Sequence, residues 1–293
     1  MDKLVSPRRT KEIIDKYGFR FSKSLGQNFL IDENIIYKIL DGAEISENDL
    51  VLEVGPGIGT LTQYLGDRAR KVLAIEIDKT LIPILGETLS EYENIELVHG
   101  DVLEIDLNQL INEKFAGEKV KVVSNLPYYV TTPIIMKFLE DEVPVTDIVV
   151  MVQKEVADRL KASPNTKDYG ALSVAVQYYC EPEIITKVPR AVFIPQPNVE
   201  STVIRLKVLD RPRVNIDNRK LFFKVVKASF AKRRKTLLNS LSMGTLGLDK
   251  KDIKEALSLS EIDSKRRGES LAIEEFALLA NNINKIIKEK PES

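Results

Sequence analysis

The sequence predicts an α/β fold, a seven-stranded and mostly parallel sheet with helices between the strands, followed by a small all-α domain. Three observations predict it. Short, strongly apolar strands alternate with helical stretches through residue 207. Those strands end in glycine or in a polar residue, not in a two-residue hairpin turn. Past residue 208 only helical periodicity remains. Alternation of this kind calls for βαβ crossovers and a parallel sheet. The domain boundaries follow as 1–207, with a helical and basic N-terminal extension, and 208–293.

Residues 11–21 read as a short helix ended by Gly18, since glycine readily takes the left-handed C-cap conformation. A polar segment, Ser22 to Asp32, leads to a helix over 33–42 with Asp32 as N-cap and Ile35, Ile36, Ile39 and Leu40 on one face. The first strand, Asp49–Val54, runs into Gly55-Pro56-Gly57-Ile58-Gly59 and a helix over 60–68. Glycines there let the backbone approach a cofactor, and the helix start offers free N–H groups. The spacing is G-x-G-x-G, one residue short of the dinucleotide pattern. The second strand, Lys71–Asp78, carries Glu76, 21 residues after Gly55, where an acid can bridge ribose hydroxyls. The third, Ile95–His99, ends at Gly100-Asp101, and Asp101 is placed to accept from an adenine amine. Helices over 79–90 and 107–114 separate these strands from the next.

The fourth strand, Val120–Val123, breaks into Ser124-Asn125-Leu126-Pro127-Tyr128-Tyr129. Thr132 is a plausible N-cap and Pro133 the first residue of the helix that follows. A fifth strand, Ile148–Val152, precedes a helix over 153–160 and a loop over 162–167. Gly170–Tyr179 and Ser201–Leu206 read as the last two strands, joined by a Pro-stiffened loop that presents Phe193. Helices over 218–231, 233–242, 250–257 and 274–287 complete the chain, with a frayed end at 288–293.

Composition narrows the function. A chain of 293 residues with 43% hydrophobic and 30% charged residues can bury a sizeable core and has an ordinary soluble balance. One cysteine, Cys180, rules out a disulfide framework and a cysteine-based zinc site. One histidine, His99, gives a metal site or catalytic triad little to work with, and no metal is expected. Met1–Arg20 is charged and contains no secretory apolar run, and no stretch is long enough for a membrane helix, so a cytoplasmic protein is expected. The formal net charge is −1, yet Arg205–Ser240 holds twelve Lys and Arg against Asp210 and Asp217, and the first 23 residues hold seven against three acids. Two basic segments on a neutral chain point to a polyanion.

Asn125-Leu126-Pro127-Tyr128 at a strand end suits the gripping of a flat base whose exocyclic amine reacts. The amide oxygen of Asn125 and a carbonyl of Leu126 or Pro127 can accept the two N–H bonds of an adenine N6. Tyr128 can stack on the ring, and Phe193 can form a second aromatic wall. With the glycine loop, Glu76 and Asp101, four polar features fall at strand ends on one edge of the sheet, where open α/β sheets bind ligands.

At this point the chain resembles a known family, the S-adenosylmethionine-dependent rRNA adenine N6,N6-dimethyltransferases, and within it the members acting on small-subunit (16S) rRNA. The resemblance rests on Ser24–Asp32 (SLGQNFLID), Glu53–Thr62 (EVGPGIGTLT), Ala74–Asp78 (AIEID), Gly100–Val102, Asn125–Tyr128 (NLPY), Phe193–Ser201 (FIPQPNVES), Arg233–Leu238 (RRKTLL) and Lys265–Leu271 (KRRGESL). It implies a Rossmann-like class I methyltransferase domain and an rRNA-binding helical domain. It also implies methylation of two adjacent adenosines in a hairpin loop near the 3′ end of 16S rRNA, with a role in small-subunit biogenesis. Asn28, Leu30, Gly55, Gly57, Glu76, Asp101 and Asn125 would hold S-adenosylmethionine, with Tyr128 and Phe193 enclosing the target adenine. Lys232, Arg233, Arg234 and Lys235 would meet rRNA phosphates, and the protein is expected to act as a monomer. Two rivals share the scaffold: a non-catalytic ribosome assembly factor, and a resistance-type methyltransferase acting on a large-subunit adenine. A nicotinamide oxidoreductase is disfavoured by the short glycine spacing and the lack of a hydride-transfer acid or base.

Overall fold

The computed structural model describes residues 3–22, 25–243 and 246–289. Lys23, Ser24 (the first residue of the SLGQNFLID motif) and 290–293 of the expected frayed end lie outside the described residues. The first elements are α1 (Pro7–Tyr17), β1 (Phe29–Leu30), α2 (Glu33–Gly42), β2 (Leu50–Val54), α3 (Thr60–Arg68) and β3 (Lys71–Glu76). Next come α4 (Ile82–Thr88), β4 (Ile95–His99), α5 (Leu107–Phe115), β5 (Val120–Asn125), α6 (Thr131–Glu140) and β6 (Val145–Gln153). Then follow α7 (Lys154–Lys161), α8 (Ala171–Tyr179), β7 (Cys180–Val188), β8 (Phe193–Ile194) and β9 (Ser201–Val208). The chain closes with α9 (Arg219–Phe230), α10 (Leu237–Leu241), α11 (Lys250–Leu259) and α12 (Ile273–Glu289).

The chain divides into two compact units, one of residues 1–157 and 181–208, the other of 158–180 and 209–293. In the first, seven strands lie in the order β4-β3-β2-β5-β6-β9-β7. The pairs β2–β3, β3–β4, β2–β5 and β5–β6 are parallel, and β6–β9 is antiparallel. Central parallel strands are covered on both faces and need apolar residues throughout; all five residues of β2 are buried accordingly. The chain steps outward from β2 through β3 to β4, then returns to the other side of β2 to lay down β5. This reversal opens a crevice beyond the carboxyl ends of β2 and β5. The glycine loop after β2 and Asn125 at the end of β5 flank it.

On one side, Val51, Val123, Val149, Met151 and Val203 form a core with Ile35, Ile36, Ile39 and Leu40 of α2 and Leu61 and Leu65 of α3. The α2 start is as expected, with Asp32 accepting from the Asn34 and Ile35 N–H groups. In a second core, Ile13 of α1, Phe19 and Phe29 join Ile84, Leu85 and Leu89. Gly18 caps α1 with φ of 57°. Phe19, Phe21 and Phe29 form a ring cluster with centroids 5.3–5.8 Å apart. Phe29 and Leu30 pair antiparallel with Ile194 and Phe193. That short pairing ties the N-terminal segment to the Pro-stiffened loop.

Four expectations are corrected. Gly170–Tyr179 is not a strand: residues 171–179 form α8, and the seventh strand is β7. Its apolar run satisfies either period, and Ser173 decides locally by accepting from the Gly170 N–H at 3.1 Å, which starts a helix. The helix after NLPY begins at Thr131, with the Thr131 hydroxyl bonded to the Pro127 carbonyl at 3.0 Å, so neither Thr132 nor Pro133 opens it. The helix expected over 233–242 starts only at Leu237, because Lys232–Lys235 form an exposed turn of four adjacent like charges. Finally, residues 158–180 group with the C-terminal helices, although the sequence places them in 1–207.

The second unit is helical among its described residues. Phe222, Val225, Ile253, Leu257, Phe276, Leu279 and Ile283 are all fully buried in it. Tyr178 of α8 packs on Phe222 of α9 with ring centroids 5.4 Å apart. Tyr169 donates to the Leu271 carbonyl at 2.9 Å. Lys220, Lys224 and Lys227 line the exposed face of α9.

Pairing of β6 with β9 sets Gln153 opposite Ser201 at the crevice end. Farther along the same pair, Arg205 bonds Asp147 at 2.7 Å, with Asp147 buried, and also Glu44 at 2.8 Å. Removing Asp147 strips a charge-assisted bond from a half-shielded guanidinium, costing about 2 kcal/mol. Urea unfolding of Asp147→Ala is expected to show that loss with an unchanged m-value; a loss within about 0.3 kcal/mol would remove the pair from the account of the β6–β9 register.

Candidate active site

Two adjoining cavities open on the crevice. The first is walled by the ends of β2, β3 and β5, the loop after β4 and the segment 25–30. Asn28, Leu30, Gly55, Gly57, Glu76, Asp101 and Asn125 all line it, as do Leu126, Pro127 and Tyr128. The second shares Gly26, Gln27, Asn28 and Tyr128 with the first and is closed on its far side by Pro195–Val199.

The glycine loop is shaped by close approach. Gly57 has φ of 63°, and a Cβ there would stand 3.0 Å from the Phe29 ring. Its N–H donates to Glu76 Oε2 at 3.2 Å, while the Asp78 N–H donates to Glu76 Oε1 at 2.8 Å. These bonds aim the buried carboxylate but leave lone pairs on both oxygens for a ligand. Burial, opposed by those backbone donors, pushes Glu76 up to about 7.

The segment 25–30 is fastened at both ends. Gln27 accepts from the Ser22 N–H at 2.8 Å and donates to Asp78 at 2.7 Å. The Asn28 side chain donates to the Gly26 carbonyl at 2.8 Å, while the Asn28 carbonyl accepts from Asn125 Nδ2 at 3.0 Å. That last bond decides which way the Asn125 amide lies. Its nitrogen is committed to the segment, so its oxygen is the atom offered to the cavity. The Pro127 carbonyl is occupied by the Val130 N–H at 3.2 Å and by Thr131. Of the two carbonyls weighed from the sequence, Leu126 is therefore the better acceptor for a ligand.

Tyr128 lines both cavities, and its hydroxyl lies 2.6 Å from the Ser201 hydroxyl, itself 1% exposed at the start of β9. Burial raises the phenol above its ordinary value, opposed by Ser201. Phe193 is not brought to either cavity: it is 3% exposed and sits in the core with Leu30, its partner across the β1–β8 pair. Alternation along β8 sends its ring inward, and Pro195–Val199 forms the wall instead. Lys232, Arg233, Arg234 and Lys235 are exposed in the turn between α9 and α10, in the other compact unit, with Arg233 also bonded to the Lys167 carbonyl.

The sequence missed Glu53, Thr60, Gln27 and Ser201 as site residues. Glu53 had a signal, an acid inside an otherwise apolar strand. Glu53 is 1% exposed and lines the first cavity, and Oε2 has no hydrogen-bond partner. Burial, reinforced by the charge on Glu76 and opposed by the Thr62 hydroxyl, pushes it up to about 8.

A model of the ribosomal RNA adenine dimethylase family matches residues 18–285. The chain belongs to that family. The ribosomal RNA small subunit methyltransferase A of Alkaliphilus oremlandii is 63% identical over 285 residues, covering 97% of this chain and 99% of the relative. Among solved structures, a dimethyladenosine transferase from Plasmodium falciparum matches with a TM-score of 0.73 and 25% identity, over 88% of this chain and 98% of that one. The 23S rRNA methyltransferase ErmE matches with a TM-score of 0.66 and 28% identity, over 87% and 99%. As a dimethylase-family chain, this protein carries the strand-end acids, the glycine loop and the NLPY turn in one crevice. No helix among the described residues is long and apolar enough to cross a membrane, and no group of three or more metal-ligating side chains occurs among them.

The two buried glutamates make the stability of the protein depend on pH. Each titrates near 4.5 when unfolded and near 7 or 8 when folded, so between those values the folded chain holds more protons. Stability then falls as pH rises from about 4.5 to about 8. Melting of the ligand-free protein is expected to show this decline, with Glu53→Gln flattening its upper part; identical slopes in both proteins would contradict the placement of a neutral Glu53.

Proposed function

We propose that the protein transfers methyl groups from S-adenosylmethionine to N6 of two adjacent adenosines in small-subunit (16S) rRNA, giving N6,N6-dimethyladenosine. The observation that carries this reading is the Asn125 amide, held by the Asn28 carbonyl so that its oxygen faces a cavity lined by three carboxyl groups, Glu53, Glu76 and Asp101. The choice of the small subunit is supported by the high identity to the Alkaliphilus oremlandii relative over almost the whole of both chains. The large-subunit alternative has the weaker likeness. The retained acids and NLPY turn disfavour a purely non-catalytic assembly factor, and ribosome biogenesis in the cytoplasm is the corresponding setting.

The residues fit the cofactor. Glu76 has lone pairs left for the ribose hydroxyls, and Asp101 stands at the next strand end for the adenine amine. Glu53 carries an orphaned buried oxygen that a cationic ligand would satisfy. Bound S-adenosylmethionine supplies a methyl group activated on a positively charged sulfur. The chain's own work lies in presenting the amine. Adenine N6 is a poor nucleophile because its lone pair is delocalised into the ring. Asn125 Oδ1 and the Leu126 carbonyl accept its two hydrogens, favour a pyramidal nitrogen and aim the lone pair, a gain in orientation and electrostatics. No strong base is required, since the nitrogen becomes positively charged and acidic after transfer and loses its proton to water. Tyr128, steadied by Ser201, offers a stacking face worth about 1–3 kcal/mol toward the cost of unstacking the base. The loop Pro195–Val199 closes the other side of the base cavity, and Phe193 anchors that loop from below. Lys232, Arg233, Arg234 and Lys235 contact phosphates, and the protein acts as a monomer.

The test is methyl transfer from labelled S-adenosylmethionine to unmethylated small subunits, large subunits and naked rRNA, with modified nucleosides read by mass spectrometry. Dimethyladenosine confined to small-subunit rRNA is expected, with transfer weakening steeply as salt rises. Label in large subunits would overturn the proposed substrate, and no label in any of the three would overturn the enzyme.

A further inference from the structure

Gln27 lines both cavities, yet both polar ends of its side chain are engaged within the protein. Its oxygen accepts from the Ser22 N–H at 2.8 Å, and its nitrogen donates to Asp78 Oδ2 at 2.7 Å. Asp78 itself lines neither cavity. Its other oxygen, Oδ1, accepts from the Thr80 N–H at 2.9 Å and from the Thr80 hydroxyl at 2.6 Å. Burial works against the Asp78 charge, but Thr80 and Gln27 outweigh it and hold the carboxyl below its ordinary value. The Asp78 N–H in turn donates to Glu76 Oε1 at 2.8 Å. The residue after Gln27 accepts from Asn125 Nδ2 through its carbonyl at 3.0 Å. Gln27 therefore sits midway on one bonded path from the acid that ends β3 to the amide that ends β5. Few side chains can do this. The position needs a donor for a carboxylate and an acceptor for a backbone N–H on one neutral group, in a crevice that already holds Glu53, Glu76 and Asp101. Lys and Arg cannot accept, an ionised Glu cannot donate, and Asn is a methylene shorter.

We propose that Gln27 is a positioning residue for the Asn125 amide, and that Asp78 acts through it from outside the two cavities. This rests on the methyl-transfer reading above and names residues to which that reading gives no part. The Asn28 carbonyl keeps the Asn125 oxygen turned toward the cavity only while the segment that carries it is held. The Gln27–Asp78 bond, charge-assisted and therefore among the stronger kind, ties that segment to the end of β3. Glu76 and the Asn125 amide thus stand in one frame, although they end different strands. Loss of the bond leaves Asn125 its oxygen and leaves Glu76 both of its backbone donors, but it frees the Asn28 carbonyl to shift. The effect falls on the rate of transfer, where the aim of the target amine decides, and less on cofactor affinity.

The bond has a polarity, and the test reverses it. Gln27→Glu sets a second carboxylate against Asp78. Asp78→Asn sets an amide nitrogen against the Gln27 nitrogen, or gives up the Thr80 bonds if the new amide flips. The two changes together restore the bond with donor and acceptor exchanged, at unchanged net charge, and keep an acceptor for the Ser22 N–H and for Thr80. Single-turnover methyl transfer to unmethylated small subunits is measured on the full chain with saturating S-adenosylmethionine. Affinity for S-adenosylhomocysteine is measured beside it by calorimetry, and thermal melting confirms that each variant is folded. Each single variant is expected to slow transfer about tenfold or more while binding S-adenosylhomocysteine within about threefold of the wild type. The double variant is expected to return to within about threefold of the wild-type rate, a coupling that a merely loosened segment would not produce. Single variants that transfer at the wild-type rate, a double variant no faster than the singles, or rate and affinity falling in step would each overturn the proposal. A wild-type chain that transfers no methyl group would overturn the methyl-transfer reading instead.

Discussion

The hydrogen bond from Asn125 Nδ2 to the Asn28 carbonyl, 3.0 Å long, is the contact on which the rest of the site depends. It joins a strand end in the middle of the sheet to a segment almost a hundred residues earlier, and it selects one of the two ways an amide can face. Everything that holds residues 25–30 in place therefore acts on the orientation of the Asn125 amide. Gln27 pins the segment to Asp78 beyond β3. Phe29 packs on the glycine loop at Gly57 and in the aromatic cluster with Phe19 and Phe21. Leu30 pairs with Phe193, which fixes the loop over the neighbouring cavity. The two cavities of the crevice thus share one wall, and Asn28 and Tyr128 belong to both.

The electrostatics of the crevice point the same way. A cavity lined by Glu53, Glu76 and Asp101 with no base among its described residues disfavours anions and favours a cation. Burial pushes both Glu53 and Glu76 toward their neutral forms, so the crevice carries less like-charge repulsion than three ionised acids would. Binding a cation converts that stored neutrality into attraction.

Much of this was legible because strand ends in a parallel sheet are written plainly. The run Leu50–Val54 followed by glycines, Glu76 and Asp101 at the next two strand ends, and Asn125 at the fourth could all be placed in one crevice from alternation alone. What failed had physical causes. Gly170–Tyr179 is apolar at both periods, and the Ser173 bond to Gly170 and the packing of Tyr178 on Phe222 favour the helix. Phe193 reads as an exposed aromatic in a proline loop, but its pairing with Leu30 turns the ring into the core, which no local pattern signals. Glu53 and Thr60 were hidden for the opposite reason: both lie within motifs whose glycines dominate the reading, and their significance is that the folded chain leaves them without partners.

The central claim is that Asn125 acts through an oriented amide, not merely through an oxygen near the methyl donor. Asn125→Asp tests it most directly, because the carboxylate keeps an acceptor oxygen but puts a second oxygen in place of the amide donor that the Asn28 carbonyl holds. Single-turnover methyl transfer to small-subunit rRNA, measured beside cofactor affinity, is expected to fall about a hundredfold or more while the cofactor still binds, a loss in the range reported for removing one oriented transition-state contact. A rate within about threefold of the wild type would mean that the amide's orientation is incidental and would contradict the account.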